Sequence, residues 1–309
     1  MNFHHVPVLL EACLDVLDVK PGGIYLDGTA GGGGHSLEIA KRLQGGRLIC
    51  LDKDPQAVAA VSERLAVYPC ARVIEADFAE IPRVLGEMGI DAVDGILLDL
   101  GVSSHQLDTP ERGFSYRDDA PLDMRMSLSG PGAAELLNGA SADELTDIFR
   151  RYGEERFAAR IARGIVEARK AKPLSTTREL VDIIRAAIPA AARREGGHPA
   201  KRVFQAVRVC VNRELENLGI CLEKAFDLLK PGGRFAIITF QSLEDRMVKR
   251  GFAKYTAGCT CPPDFPVCVC GKKPRGRLIL KKPAVASPGE LESNPRSKSA
   301  RLRAIERIR

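Results

Sequence analysis

The segment Tyr25-Leu26-Asp27-Gly28-Thr29-Ala30-Gly31-Gly32-Gly33-Gly34-His35 decides the fold. An apolar run ends in an acid and breaks into glycines, and a helix-like segment, Ser36 to Leu43, follows at once. Glycine has no Cβ, so a backbone built from it can approach a ligand closely. A Gly-rich turn between a strand and a helix N-terminus is a usual seat for a nucleotide-like cofactor.

Working outward, the same grammar repeats. Strand-like runs are read at Gly23–Asp27, Arg47–Asp52, Ala71–Asp77 and Asp94–Asp99, and helical patterns at Leu37–Leu43, Pro55–Leu65 and Ala79–Met88 lie between them. This βαβαβαβ series predicts an α/β fold with a mostly parallel sheet. Asp27, Asp52 and Asp99 each close a strand, and acids at the carboxyl ends of parallel strands line the crevice where such folds bind ligands.

After Asp99 the pattern changes. Residues 102–132 show no period, and then helices dominate, with Ser141/Glu144 and Thr176/Glu179 as capping pairs. One long helix is expected to start near Pro199 and carry Val203, Val207, Val211, Leu215, Leu218 and Leu222 on one face until Lys230-Pro231-Gly232-Gly233. Strand language returns at Arg234–Phe240, Gly276–Lys281 and Ala300–Ile308. The expected organisation is one α/β domain, 1–109 with 211–309, interrupted by a helical insertion, 110–210.

The 309 residues are 45% hydrophobic and 28% charged, a globular composition. No apolar run is long enough to cross a membrane, and the opening residues lack a signal-peptide layout, so a cytoplasmic protein is expected. The formal net charge is +6, but residues 271–309 hold twelve Lys/Arg against three Glu, which leaves the rest of the chain net acidic. Such a basic segment suits a polyanion such as nucleic acid, or serves as a solvated tail. Of nine cysteines, Cys259, Cys261, Cys268 and Cys270 cluster as C-x-C, six residues, C-x-C. That is not the C-x₂-C of common zinc sites, so a soft metal there is the weaker reading.

The glycine loop fits a dinucleotide poorly. Gly31 and Gly33 match the first part of G-x-G-x-x-G, but the third glycine position is Ser36. An acid at Asp27 opposes a pyrophosphate. S-adenosylmethionine, with an ammonium, a sulfonium and a ribose but no phosphate, fits better. Asp52 can accept from ribose hydroxyls or cap the helix that starts at Pro55, and Asp77-Phe78 can place a ring near the adenine.

The residues reached so far resemble the ribosomal RNA small-subunit methyltransferase H family, also called MraW. The resemblance is carried by Asp27–Ser36, Asp52-Lys53-Asp54-Pro55, Asp94–Ser104, Arg112–Tyr116, Gly153–Phe157, His198-Pro199-Ala200, Ser242–Arg246 and Asn294–Ser297. It runs from His5-Val6-Pro7-Val8 to the last ten residues. It implies a class I (Rossmann-like) methyltransferase core with a helical insertion domain for substrate recognition. It further implies transfer of a methyl group from S-adenosylmethionine to the exocyclic N4 of a cytidine in the decoding region of 16S rRNA, within the small ribosomal subunit. Carried over by motif position, cofactor contacts are Gly33, Gly34, His35, Asp52, Phe78, Asp99 and Gln106. Where the family commonly reads Ser-Phe-His-Ser-Leu-Glu-Asp, this chain has Thr239-Phe240-Gln241-Ser242-Leu243-Glu244-Asp245, so a histidine is replaced by Gln241.

Cytosine N4 is a poor nucleophile because its lone pair is delocalised into the ring. An acceptor for its hydrogens favours the reactive form, and Asp99 is the candidate, as acceptor or as cofactor ligand. Ser103 is weaker, being equally suited to a turn. His35 either contacts the methionine carboxylate or caps its helix. Phe114, Tyr116 and Phe204 are candidate stacking groups, and Lys201, Arg202, Arg208, Arg296, Lys298, Arg301 and Arg303 candidate phosphate contacts. A non-catalytic assembly factor and a small-molecule methyltransferase are the competing readings, and a homodimer is left open.

Overall fold

The computed structural model describes residues 7–193, 197–258, 261, 267 and 270–309. They divide into two compact units, the described residues of 1–101 with 216–309 and those of 102–215.

Among the described residues, seven strands of the first unit form one sheet: β1 (Ile24–Asp27), β2 (Arg47–Asp52), β3 (Ala71–Glu75), β4 (Val93–Asp99), β5 (Leu229–Thr239), β6 (Gly276–Leu278) and β7 (Arg301–Arg307). Their order is β3-β2-β1-β4-β5-β7-β6. β3 through β5 run parallel, with Asp27 level with Cys50 of β2 and Leu97 of β4. β7 is antiparallel to both β5 and β6. The fold is therefore the α/β, Rossmann-like, mostly parallel sheet that the strand-helix alternation predicts.

Alternation along the strands explains the two cores. Tyr25, Leu48, Cys50, Leu97, Ala236 and Ile238 point to one face, against helices Leu10–Leu17, Gly34–Ala40 and Pro55–Leu65. Leu26, Ile49, Leu51, Ile96, Leu98, Phe235 and Ile237 point to the other, against helices Ile81–Glu87, Glu214–Lys224 and Ser242–Thr256. Apolar side chains on both faces are what a buried parallel sheet requires, each fully buried one contributing about 1.5–3 kcal/mol.

The second unit is helical: Ser104–Asp108, Ala133–Gly139, Ala142–Gly153, Ala158–Ala171, Thr177–Ala187, Ala190–Arg193 and Lys201–Val211. Ser141 and Thr176 cap their helices as expected, each receiving the amide three residues on. Two readings change. The short helix Ser104–Asp108 lies in the stretch read as irregular. The single long helix expected after Pro199 is two, because Arg213 adopts φ 52° between Lys201–Val211 and Glu214–Lys224. The Asn212 side chain enforces the break: Nδ2 donates to the Met124 carbonyl at 2.7 Å, and Oδ1 accepts from the Met126 amide at 2.8 Å. No described helix is long and apolar enough to cross a membrane.

Candidate active site

The adjacent strands β2, β1 and β4 end in Asp52, Asp27 and Asp99. Asp27 is buried and shapes the loop: Oδ2 accepts from the Ser36 hydroxyl at 2.6 Å and Oδ1 from the Thr29 amide at 3.1 Å. The acid thereby ties strand to helix across the glycines.

The glycines answer two local demands. Gly33 sits at φ 76° just ahead of helix Gly34–Ala40, a left-handed conformation that costs other residues roughly 1–2 kcal/mol. A Cβ on Gly28 would lie 2.5 Å from Leu98 Cδ2 and 3.1 Å from Phe78 Cβ, so side-chain-free backbone is required there. The helix starts two residues earlier than the periodicity suggests, which places Gly34 and His35 in its first turn.

His35 does not cap this helix, since Gly33 occupies the cap position. Its Nε2 donates to the Val8 carbonyl at 3.0 Å, which fixes the tautomer, and its Nδ1 lies 3.8 Å from Asp99 Oδ2. The Asp99 amide donates to Thr29 Oγ1 at 2.6 Å. Asp99 Oδ1 is buried and has no hydrogen-bond partner among the described residues.

Asp52 is not the helix cap, because Asp54 takes that role by accepting the Gln56 amide at 3.0 Å. Asp52 instead accepts from the Gly31 amide at 2.8 Å and the Asp54 amide at 2.9 Å. Each carboxylate oxygen retains a second lone-pair site. The acid after β3, Asp77, accepts from the Ala79 amide at 2.9 Å and from Asn217 Nδ2 at 2.8 Å, and it pairs with Lys53 at 3.2 Å. Phe78, half-buried, begins the turn that follows β3 and packs on the core beside Gly28. Thr29, Lys53 and Asn217 are contributors that periodic sequence pattern does not single out. Thr29 was findable from its place between acid and glycines, whereas Asn217, 140 residues from Asp77, was not.

The carboxylates crowd one another electrostatically. Burial pushes the Asp27 and Asp52 carboxyls up to about 6. Asp99 goes higher, to about 8, through burial first and then the negative charges of Asp27 and Glu244. Such a cluster of acids favours a cation and disfavours a phosphate. With the unpartnered Asp99 oxygen, this donor set fits a cofactor bearing ammonium and sulfonium charge.

At the end of β5, Glu244 Oε2 accepts the Phe240 amide at 2.9 Å and the Gln241 amide at 3.1 Å. Asp245 pairs with Arg303 of β7 at 2.7 Å and with Arg301 at 3.4 Å.

The second unit carries the other sequence candidates. Gln106 is buried and closes a capping box with Ser103, receiving and returning its backbone and hydroxyl contacts at 3.0 and 3.2 Å. Ser103 is thus the turn residue of the plainer reading. Tyr116 stacks on His198 with centroids 4.4 Å apart and planes 8° from parallel, while Phe114 and Phe204 are buried in the core. Arg208 is held by Glu214 at 2.8 Å, and in the first unit Arg303 is held by Asp245, so neither is a free phosphate contact. Lys201 and Arg202 are exposed. Cys259 and Cys268 lie outside the described residues, and no group of three metal-ligating side chains occurs among the described ones.

The model of the MraW methylase family matches residues 2–308. The ribosomal RNA small subunit methyltransferase H of Heliobacterium modesticaldum is 57% identical over 313 residues, covering 100% of both chains. Its counterpart from Symbiobacterium thermophilum is 53% identical over 311 residues, covering 100% of this chain and 98% of its own. The crystal structure of an rRNA methylase from Streptococcus thermophilus aligns over 99% of each chain at 11% identity, with a TM-score of 0.44, a likeness that adds no detail to the site.

Proposed function

The chain belongs to the MraW methylase family, and from that premise we propose that it methylates the exocyclic N4 of a cytidine in the decoding region of 16S rRNA, within the small ribosomal subunit. The reaction class is S-adenosylmethionine-dependent rRNA methylation. The observation that carries the reading to particular residues is the Asp99 carboxylate, buried, crowded by other acids and left with an unpartnered oxygen.

S-adenosylmethionine supplies an electrophilic methyl group: the N4 lone pair forms the new N–C bond, and the C–S pair returns to sulfur. Asp52 holds the ribose hydroxyls with the lone pairs that Gly31 and Asp54 leave open. Phe78 would hold the adenine. Gly33, Gly34 and His35 would hold the methionine end. Asp99 accepts an N4 hydrogen through Oδ1, stabilises the charge that develops on the amine, and takes the proton released by transfer. Nearby cationic charge lowers the carboxyl from about 8 and ionises it for this task. Most of the rate comes from holding the two reactants in line.

The helical unit is assigned to substrate recognition, with the Tyr116–His198 stack and the exposed Lys201 and Arg202 as RNA contacts. The test is incubation with labelled S-adenosylmethionine and small subunits lacking the modification, followed by nucleoside analysis. N4-methylcytidine is expected. Label on another atom, or only on small acceptors, would overturn the assignment.

A further inference from the structure

A second unpartnered buried acceptor lies at the end of the strand next to Asp99. Among the described residues, Gln241 Oε1 is buried and receives no hydrogen bond. Its location makes this unexpected. Gln241 is the cap residue of helix Ser242–Thr256, where a side-chain oxygen ordinarily accepts an amide of the first turn. It does not do so here. The Gln241 carbonyl accepts the Asp245 amide, and Glu244 reaches back to hold the Phe240 and Gln241 amides. The turn is therefore closed without the carboxamide.

The same turn is anchored from outside. Asp245 is tied to Arg303 of β7 by two contacts, at 2.7 and 3.1 Å. β4 and β5 pair with Asp99 level with Ile238, three residues before Gln241. A Cβ built on Gly101, two residues after Asp99, would lie 3.6 Å from the Phe240 ring. The ends of β4 and β5 thus carry two orphan oxygens, Asp99 Oδ1 and Gln241 Oε1. A cytosine amine has two hydrogens.

We infer that the Gln241 carboxamide oxygen accepts one hydrogen of the target amine while Asp99 Oδ1 accepts the other, which makes Gln241 a substrate-contacting residue of the transfer site. The inference rests on the cytidine-N4 reading above. Holding both hydrogens draws N4 out of conjugation and turns its lone pair toward the methyl group. Gln241 takes no proton. On transfer, the proton of the hydrogen bonded to Asp99 passes to that carboxylate, and the hydrogen on Gln241 stays on nitrogen. A neutral acceptor also avoids adding a further negative charge beside Asp99, Asp27 and Glu244.

The experiment compares the full-length protein with Gln241→Leu, similar in size but without an acceptor, and Gln241→His, whose neutral ring retains one. Each is assayed on unmodified small subunits at saturating S-adenosylmethionine. Donor affinity is measured by calorimetry and folding by thermal melting. Gln241→Leu is expected to lower kcat by about 10- to 100-fold, with donor Kd within about twofold of the parent. Gln241→His is expected to restore turnover above neutral pH and to lose it as the ring protonates below about pH 6.5. Turnover of Gln241→Leu within about twofold of the parent would overturn the inference. So would lost donor affinity or folding in that variant together with a Gln241→His pH profile like the parent's. If the parent itself labels an atom other than N4, the cytidine reading fails first, and the two failures are told apart.

Discussion

The Asp52 carboxylate accepts the Gly31 amide at 2.8 Å, so the end of β2 is bonded directly to the glycine loop that leaves β1. One side chain thereby ties the end of β2 to the glycine loop and to the Asp54 amide. Asp52→Ala is expected to weaken S-adenosylmethionine binding about 10- to 100-fold, roughly 1.4–2.7 kcal/mol. Asp52→Asn, which keeps an acceptor, should lose less. Titration calorimetry showing full affinity in the alanine variant would remove Asp52 from the ribose.

Asp99 makes the ligand-free protein sensitive to pH. Burial and the neighbouring charges of Asp27 and Glu244 push its carboxyl up to about 8, against 3.8 as the ordinary value. The folded state holds the extra proton between those limits. Stability from this group is full below about pH 4 and is lost as pH rises through about 8. Thermal melts between pH 6 and 9 should fall more steeply for the parent than for Asp99→Asn, whose side chain is neutral throughout. Superimposable profiles would show that the burial of Asp99 carries no such cost.

Backbone space at the loop is tight at two points for different reasons. Gly28→Ala drives a methyl group into Leu98 and Phe78, and such overpacking costs typically 1–3 kcal/mol. Gly33→Ala strains a residue at φ 76° by about 1–2 kcal/mol. Both should lower the melting temperature and weaken the donor. By contrast, a Cβ on Gly45 meets nothing within 4 Å, but that residue also has φ 79°. Gly45→Ala should therefore cost stability through strain and leave donor affinity unchanged.

Asp245 and Arg303 are 11% and 14% exposed as side chains, a largely buried pair. Removing either partner strands a charge, so Asp245→Ala and Arg303→Ala should each destabilise by roughly 2–4 kcal/mol. The double variant should cost much less than the two added together. Denaturant unfolding in a double-mutant cycle measures this, and strict additivity would refute the coupling.

Much of the sheet was legible because each acid interrupts an apolar run: Asp27, Asp52 and Asp99 mark strand ends in the sequence as they do in the fold. Pro55 marked where the helix starts, but the sequence left Asp52 as its candidate cap; the structure gives that role to Asp54 and so leaves Asp52 to the glycine loop. The break at Asn212 and Arg213 was not legible. The apolar stripe keeps its period across it, and the hydrogen bonds that enforce it reach residues 86 and 88 positions away. The Gln241 oxygen was hidden for a similar reason, since a missing partner exists only once packing has placed every neighbour.

The position of β7 has a consequence for biosynthesis. This strand, residues 301–307, inserts between β5 and β6 and supplies the cation for Asp245. A chain lacking residues 301–307 therefore has an unpaired β5 border, a detached β6 and an unneutralised Asp245 carboxylate. Until residues 301–307 are in place, the polypeptide is an open-edged intermediate that adheres readily to other strands. A chain cut before residue 301 should therefore be insoluble rather than merely slow.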